Sequence, residues 1–262
     1  MSTILKSNTE PSVIHKANAA NVSLSNLSKT FISRGKSLSV LEGIDLEINP
    51  GEIVALLGSS GCGKSTLLRL IAGLEKPTTG EVKIDDRKVV GLDERCSIVF
   101  QEPRLLPWRD ILSNVELGLR GRKDKEKAAH LLAEIGLAEF LTCYPRQVSG
   151  GMAQRAALAR ALISEPQVLL LDEPLAALDA LTRLQMQDLL SSLVARTGVT
   201  IILVTHDIDE ALYLADRIVV LGERGEGIRG TFAIDLPHPR DRKDAALAPI
   251  RSKLFSLFGI HA

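Results

Sequence analysis

Apolar residues in this chain follow two kinds of pattern. Early segments alternate: residues 22–27 and 39–48, where Val40, Ile44, Leu46 and Ile48 share one face, predict half-buried antiparallel strands. Later runs are unbroken. Residues 53–57, 168–171 and 201–204 are wholly aliphatic and predict strands covered on both faces. Asn49, Pro50 and Gly51 mark the turn before the first of these runs. Residues 65–74 place apolar side chains at helical spacing, with Gly73 as terminator. Helical stretches separate the last two runs, and residues from about 104 to 165 show helical periodicity without a strong strand. The expected fold is therefore α/β: a parallel core with its site at the strands' carboxyl ends, an N-terminal antiparallel β-subdomain and an inserted helical subdomain. Residues 1–20 are polar and aperiodic and read as a flexible extension; 21–235 form the main domain. Residues 236–262 form a charged tail that reads as solvated surface, closing on a small amphipathic helix around 254–260.

Composition narrows the classes. The 262 residues carry 32 Lys+Arg against 32 Asp+Glu, and zero net charge argues against a nucleic-acid partner, since phosphate neutralisation calls for a basic surplus. Hydrophobic and charged shares of 45% and 24% exclude wholesale disorder, while only 3% aromatics point to an aliphatic core rather than an all-β sandwich. Cys62, Cys96 and Cys143 lack metal-ligand spacing, and a reduced compartment is expected. No stretch approaches the ~18 to 20 apolar residues of a bilayer span. The expected place is the cytoplasm or a membrane's cytoplasmic face.

Between the first apolar run and the first helix lies Gly58-Ser59-Ser60-Gly61-Cys62-Gly63-Lys64-Ser65-Thr66, which fits G-x-x-x-x-G-K-[ST]. Such a loop can wrap phosphate oxygens with its N–H groups where side chains are absent, hence Gly61 and Gly63. Lys64 supplies a point charge for the β/γ-phosphates and Ser65 a hydroxyl for Mg²⁺. The plain structural alternative is a flexible loop before a helix, which the strand and helix flanks disfavour. Cys62 reads as a small tolerated side chain. The second motif is Val168-Leu169-Leu170-Leu171-Asp172-Glu173-Pro174, a strand delivering two carboxylates. Asp172 is placed to hold Mg²⁺ and Glu173 to polarise an attacking water. Paired acids can merely solvate a turn, but together the motifs predict a P-loop NTPase (RecA-like) core that hydrolyses a nucleotide with Mg²⁺.

The third motif, Ser149-Gly150-Gly151-Met152-Ala153-Gln154-Arg155, runs into a helical segment. With it the sequence resembles the ATP-binding subunits of ATP-binding-cassette transporters, over residues 22 to about 230. Met152 stands where many members have Gln. Ser149, Gly150 and Gly151 offer a second anion site at a helix N-terminus. Two phosphate sites far apart in one chain imply a head-to-tail homodimer that clamps each ATP between a loop and a signature segment. The resemblance further implies that Gln101 reaches the metal and the lytic water, and that His206 contacts the γ-phosphate. It also implies that Asp179 crosses the dimer interface and that Phe31 stacks on adenine. Each is weak alone, since Gln101 can be a turn residue, His206 structural and Phe31 core; their order makes chance agreement remote.

Residues 101–108, Gln-Glu-Pro-Arg-Leu-Leu-Pro-Trp, carry the only tryptophan, and two prolines keep Leu105, Leu106 and Trp108 in a loop. This loop either packs on the helical subdomain or offers a docking surface for a membrane subunit. Its wording, with that of residues 172–183 and 186–190, is similar to the importers of aliphatic sulfonates, taurine, nitrate and related anions, sulfonates first. The resemblance implies two permease subunits and a periplasmic or lipoprotein substrate-binding protein as partners. A repair or translation cassette would show coiled-coil insertions, a zinc hook or a basic arm, and a GTPase an Asn-Lys-x-Asp motif; none is present. A non-catalytic nucleotide-binding regulator is the remaining rival, and Glu173 and His206 weigh against it.

Overall fold

The computed structural model describes residues 19–33 and 35–259. Most of the extension expected at 1–20 and the last three residues of the tail lie outside the described residues. The chain opens with β1 (Val22–Ser33) and β2 (Lys36–Ile48), an antiparallel pair whose bulges fall where the alternation breaks. Next come β3 (Ile53–Leu57), α1 (Lys64–Ile71), and the short β4 (Thr79–Ile84) and β5 (Arg87–Lys88), which extend the first sheet in the order β2-β1-β4-β5. After β6 (Cys96–Val99) the helical arm holds α2 (Ile111–Glu116), α3 (Lys125–Glu134) and α4 (Gly150–Leu162). The chain returns through β7 (Val168–Asp172), α5 (Ala180–Thr197), β8 (Thr200–Val204), α6 (Ile208–Leu214), β9 (Arg217–Leu221) and β10 (Ile228–Ala233), and ends in α7 (Ala248–Leu257).

The second sheet has the order β10-β9-β3-β8-β7-β6, with β10 antiparallel to β9 and the rest parallel. The unbroken aliphatic runs are explained by its two covered faces. Ile53, Ala55 and Leu57 of β3, like Ile201 and Leu203 of β8, pack among the helices of the arm and of the β7-to-β9 segment. Their neighbours Val54, Leu56, Ile202 and Val204 pack on the other side with α1 and the β-subdomain. Period-two orientation thus puts every apolar residue of these strands into one core or the other. Crossovers leave the loops after β3, β7 and β8 at one edge, where an open parallel sheet places its ligands.

The tail departs from expectation. Arg240 is buried, and its guanidinium donates to the carbonyls of Leu212 and Ala215 at the end of α6, and to those of Ile234 and Leu236. Arg242 stacks on the Tyr213 ring and pairs with Asp188, and Arg251 pairs with Asp209. The charged run is a docked strap: the free carbonyls at the C-terminus of α6 need donors and Arg240 supplies them, while Arg242 and Arg251 pin the run to acids of α5 and α6. The terminal helix begins at Ala248, earlier than expected, with Leu254 fully buried.

Candidate functional site

A cleft of about 300 Å³ opens at the carboxyl end of β3, lined by Leu38, Val40, Ser60, Gly61, Gly63, Lys64, Ser65, Thr66, Glu173 and Arg224. Its floor is the start of α1. The N-cap residue of that helix is Gly63 with φ +112°, and no side chain caps it. The first N–H groups of a helix have no intrahelical partner, so an uncapped start is a donor cluster with positive dipole character. By contrast, α2, α3, α4, α5 and α6 each start on a side-chain cap: Asp110, Asp124, Ser149, Asp179 and Asp207.

Lys64 is buried, and its Nζ donates to the carbonyls of Gly58 (2.8 Å) and Ser59 (2.9 Å), which curls the loop around the ammonium. Gly58 is glycine for an internal reason: a Cβ there would meet the Cys62 sulfur at 2.6 Å. Cys62 is buried packing behind the loop. Gly63 combines its left-handed backbone with close approach, since a Cβ would sit 2.7 Å from Leu41.

Asp172 ends β7 buried, and the Ser65 hydroxyl donates to its Oδ1 at 2.7 Å. Among the described residues no Lys, Arg or His lies within ion-pair distance of that carboxylate. A buried carboxylate beside a hydroxyl, without countercharge, is an oxygen donor set suited to a hard divalent cation. Glu173 follows with φ +47°, a strained conformation for a side-chain-bearing residue. It is held by its N–H donating to Val204 O of β8 (2.9 Å). This turn aims the carboxylate into the cleft, where Oε2 lies 3.3 Å from Nδ1 of the exposed His206.

Behind His206, the Asp207 N–H donates to the Thr205 hydroxyl (3.0 Å), which donates to Glu210 Oε2 (3.2 Å). Burial, with Asp207 nearby, pushes the Glu210 carboxyl up to about 8. Sequence reasoning missed Glu210 and Arg224, neither of which belongs to a motif. In the sequence Glu210 reads as one more acid in the first turn of a helix, beside Asp207 and Asp209.

Other expected site residues lie outside this cleft. Gln101 is exposed just past β6. Phe31 is partly buried against the β-subdomain core, with Lys29 Nζ 4.7 Å from its ring centre, and the cleft's apolar wall is instead Leu38 and Val40. Ser149 and Gly150 are exposed at the start of α4, where the Ser149 hydroxyl accepts from Met152 N–H (3.3 Å), and Gly151 is packed against Thr182. Asp179 is exposed and caps α5 through Thr182 N–H, and the Thr182 hydroxyl, with that N–H, holds its carboxyl below the usual range.

The loop after Gln101 is irregular, as its prolines dictate. Buried Asn114 staples it by accepting from Leu106 N–H and donating to the carbonyls of Leu106, Arg109 and Asp110. Leu105 packs on the helical core, whereas Trp108 is 70% exposed. Gln154 of α4 donates to Phe100 O, and Arg160 donates to Pro103 O and Arg104 O, so this loop is tied to α4. No helix among the described residues is long and apolar enough to cross a membrane.

Known proteins agree with this architecture. A family profile described as ABC transporter matches residues 41–176, just over half of the chain. The "Aliphatic sulfonates import ATP-binding protein SsuB 1" of Xanthomonas axonopodis pv. citri is 49% identical over 85% of this chain and 92% of its own length. The protein named SsuB of Granulibacter bethesdensis is 51% identical over 86% and 90%. Among solved structures, the ATP-binding cassette MJ0796 in a dimeric post-hydrolysis state bound to ADP and Pi superposes with a TM-score of 0.72 at 35% identity, covering 84% of this chain and 99% of that one. With a phosphate loop, an acidic strand end and a signature helix in one P-loop core, the chain belongs to the ATP-binding subunits of ABC transporters.

Proposed function

We propose that this chain is the ATP-hydrolysing subunit of an importer of small anions, aliphatic sulfonates first, working as a head-to-tail homodimer at the cytoplasmic face of the membrane. The observation that carries the reading is the convergence, on one cleft, of the uncapped start of α1, Lys64, the Ser65–Asp172 pair and the Glu173–His206 pair.

In this reading the loop N–H groups from Ser59 to Thr66 and the Lys64 ammonium hold the phosphates of ATP, and Phe31 stacks on the adenine. Ser65 and Asp172, joined by Gln101, hold Mg²⁺, which supplies charge neutralisation on the phosphate oxygens when bound. Glu173 Oε2 accepts the proton of the attacking water. His206, 3.3 Å away, orients that carboxylate and faces the terminal phosphate. Ser149, Gly150, Gly151 and Asp179 serve the nucleotide held by a second copy, which accounts for their exposure or placement away from the subunit's own cleft. The dimeric post-hydrolysis state of MJ0796 supports that arrangement.

The exposed Trp108, on a loop tied to α4, is the contact for a membrane permease, two of which would pair with the dimer. A separate binding protein would select the cargo, as no residue of the cleft need touch it. Sulfonate is supported by the names of the relatives at about half identity. Deleting the gene should abolish growth on an alkanesulfonate as sole sulfur source; loss of growth only on taurine or nitrate would reassign the cargo.

For the chemistry, Glu173→Gln should keep ATP binding and lower kcat by about 10²- to 10⁴-fold. Turnover at the parent rate would remove Glu173 from the role of base.

A further inference from the structure

Arg224 belongs to none of the motifs, yet it stands in the nucleotide cleft. It lies between β9 and β10 on a turn whose shape is fixed by Gly222 N–H donating to Gly227 O and Glu226 N–H to Glu223 O (2.9 Å each). Glu223 N–H also donates to the Glu226 carboxylate (2.8 Å). The turn is held against the β-subdomain by Gly225 N–H donating to Val40 O (3.4 Å). The end of β9 abuts the phosphate loop: a Cβ on Gly58 would come within 3.2 Å of Leu221 O. From this platform Arg224 Nε donates to Gly61 O at 3.3 Å, and a Cβ on Gly61 would lie 3.1 Å from Arg224 Nη2.

Among the described residues no carboxylate lies within ion-pair distance of Arg224. A guanidinium has five N–H donors in a planar fork, and one of them is spent on Gly61. The others belong to a charged group that lines the same space as Lys64, Ser65 and Thr66. A cation without a counter-ion beside a phosphate-shaped loop is a recognition element for phosphate oxygens.

We propose that Arg224 is a second nucleotide-binding cation, closing on the phosphate chain of a bound nucleoside triphosphate from the rim while Lys64 holds it from below. The proposal rests on the cleft being the ATP site, and Lys64→Ala separates the two claims. ATP affinity is to be measured by calorimetry on the purified full chain for the parent and for Arg224→Gln, Arg224→Lys and Lys64→Ala. Gln can still donate to Gly61 O, so it removes the charge while allowing the brace. The expected result is about tenfold weaker ATP binding for Arg224→Gln, with a much smaller loss for Arg224→Lys. The nucleotide-free melting temperature should be unchanged, and the variant's ATP affinity should depend less on salt. Parent-like ATP affinity in Arg224→Gln while Lys64→Ala loses binding would overturn the proposal and leave the site reading intact. No ATP binding by the parent would overturn both. Should Arg224→Gln lower the nucleotide-free melting temperature, equal affinities for Arg224→Lys and Arg224→Gln would assign Arg224 to bracing the loop and overturn the proposal.

Discussion

The starts of α1 and α4 are built differently. At α1 the cap is a glycine in a left-handed conformation, no side chain closes the end, and a buried lysine and an acid-hydroxyl pair stand beside it. At α4 the Ser149 side chain caps its own helix, and both Ser149 and Gly150 face outward. The glycines make the contrast sharper. Gly63 is required by its own subunit, through its φ and through Leu41 and Val40. Gly150 has no such need, for a Cβ there would meet nothing within 4 Å and its φ is not positive. An exposed helical glycine that clears no internal neighbour forgoes helix propensity without local gain. In the proposed dimer that clearance would admit the partner's nucleotide. The first start is therefore shaped by contacts within its own subunit, and the second lies open at the surface.

That difference can be broken by experiment. The largest effect is expected at Gly63→Ala, which forces an alanine into a left-handed backbone against Leu41 and should cost about 2 kcal/mol of stability as well as ATP affinity. Urea unfolding and calorimetry would check it; a neutral outcome would deny that the loop is held in this shape. Gly150→Ala should act in the opposite sense, raising monomer stability by up to about 1 kcal/mol and leaving monomer ATP affinity unchanged while weakening ATP-driven dimerisation. If the two substitutions proved alike, the contrast would fail.

A smaller effect comes from a third helix start, α6, where Asp207 is the cap and buried Glu210 lies beneath it. Burial, aided by Asp207 and Glu173 and opposed by Thr205 and Arg183, raises Glu210 to about 8, above its ordinary 4.5. The folded protein then holds a proton that the unfolded chain has released, so stability falls as pH rises from about 4.5 to about 8 and levels off above. Urea unfolding across that range should show a flatter profile for Glu210→Gln; an unchanged slope would place the dependence elsewhere.

Much of this fold is legible in the sequence where the signal is local. The runs 53–57, 168–171 and 201–204 read as strands because both faces of the sheet are covered, and the loop, acid pair and signature segment announce themselves by spacing. What escaped depends on partners far along the chain. Arg240 looks like one charge in a polar run, yet its role comes from carbonyls of Leu212 and Ala215, which only the fold brings near. Asn114 resembles any helix residue until the backbone of 106–110 curls over it. Strands β4, β5 and β10 are too short or too exposed to carry a clear period, and Arg224 acquires meaning only because β9 ends beside the phosphate loop. Of the site residues named by motif, the fold gathers those of the phosphate loop with Asp172, Glu173 and His206, and leaves Gln101, Ser149, Gly150 and Asp179 at the surface. The exposure of Ser149, Gly150 and Asp179 follows if that half of the site belongs to another copy.

The most direct test is the mass in solution of Glu173→Gln with saturating ATP and Mg²⁺, measured by light scattering beside the doubly substituted Glu173→Gln, Ser149→Arg protein. The account predicts a doubling from the 28.4 kDa of one chain on adding ATP, and no doubling once an arginine blocks the signature surface. A nucleotide-saturated monomer, or a dimer indifferent to Ser149→Arg, would contradict it.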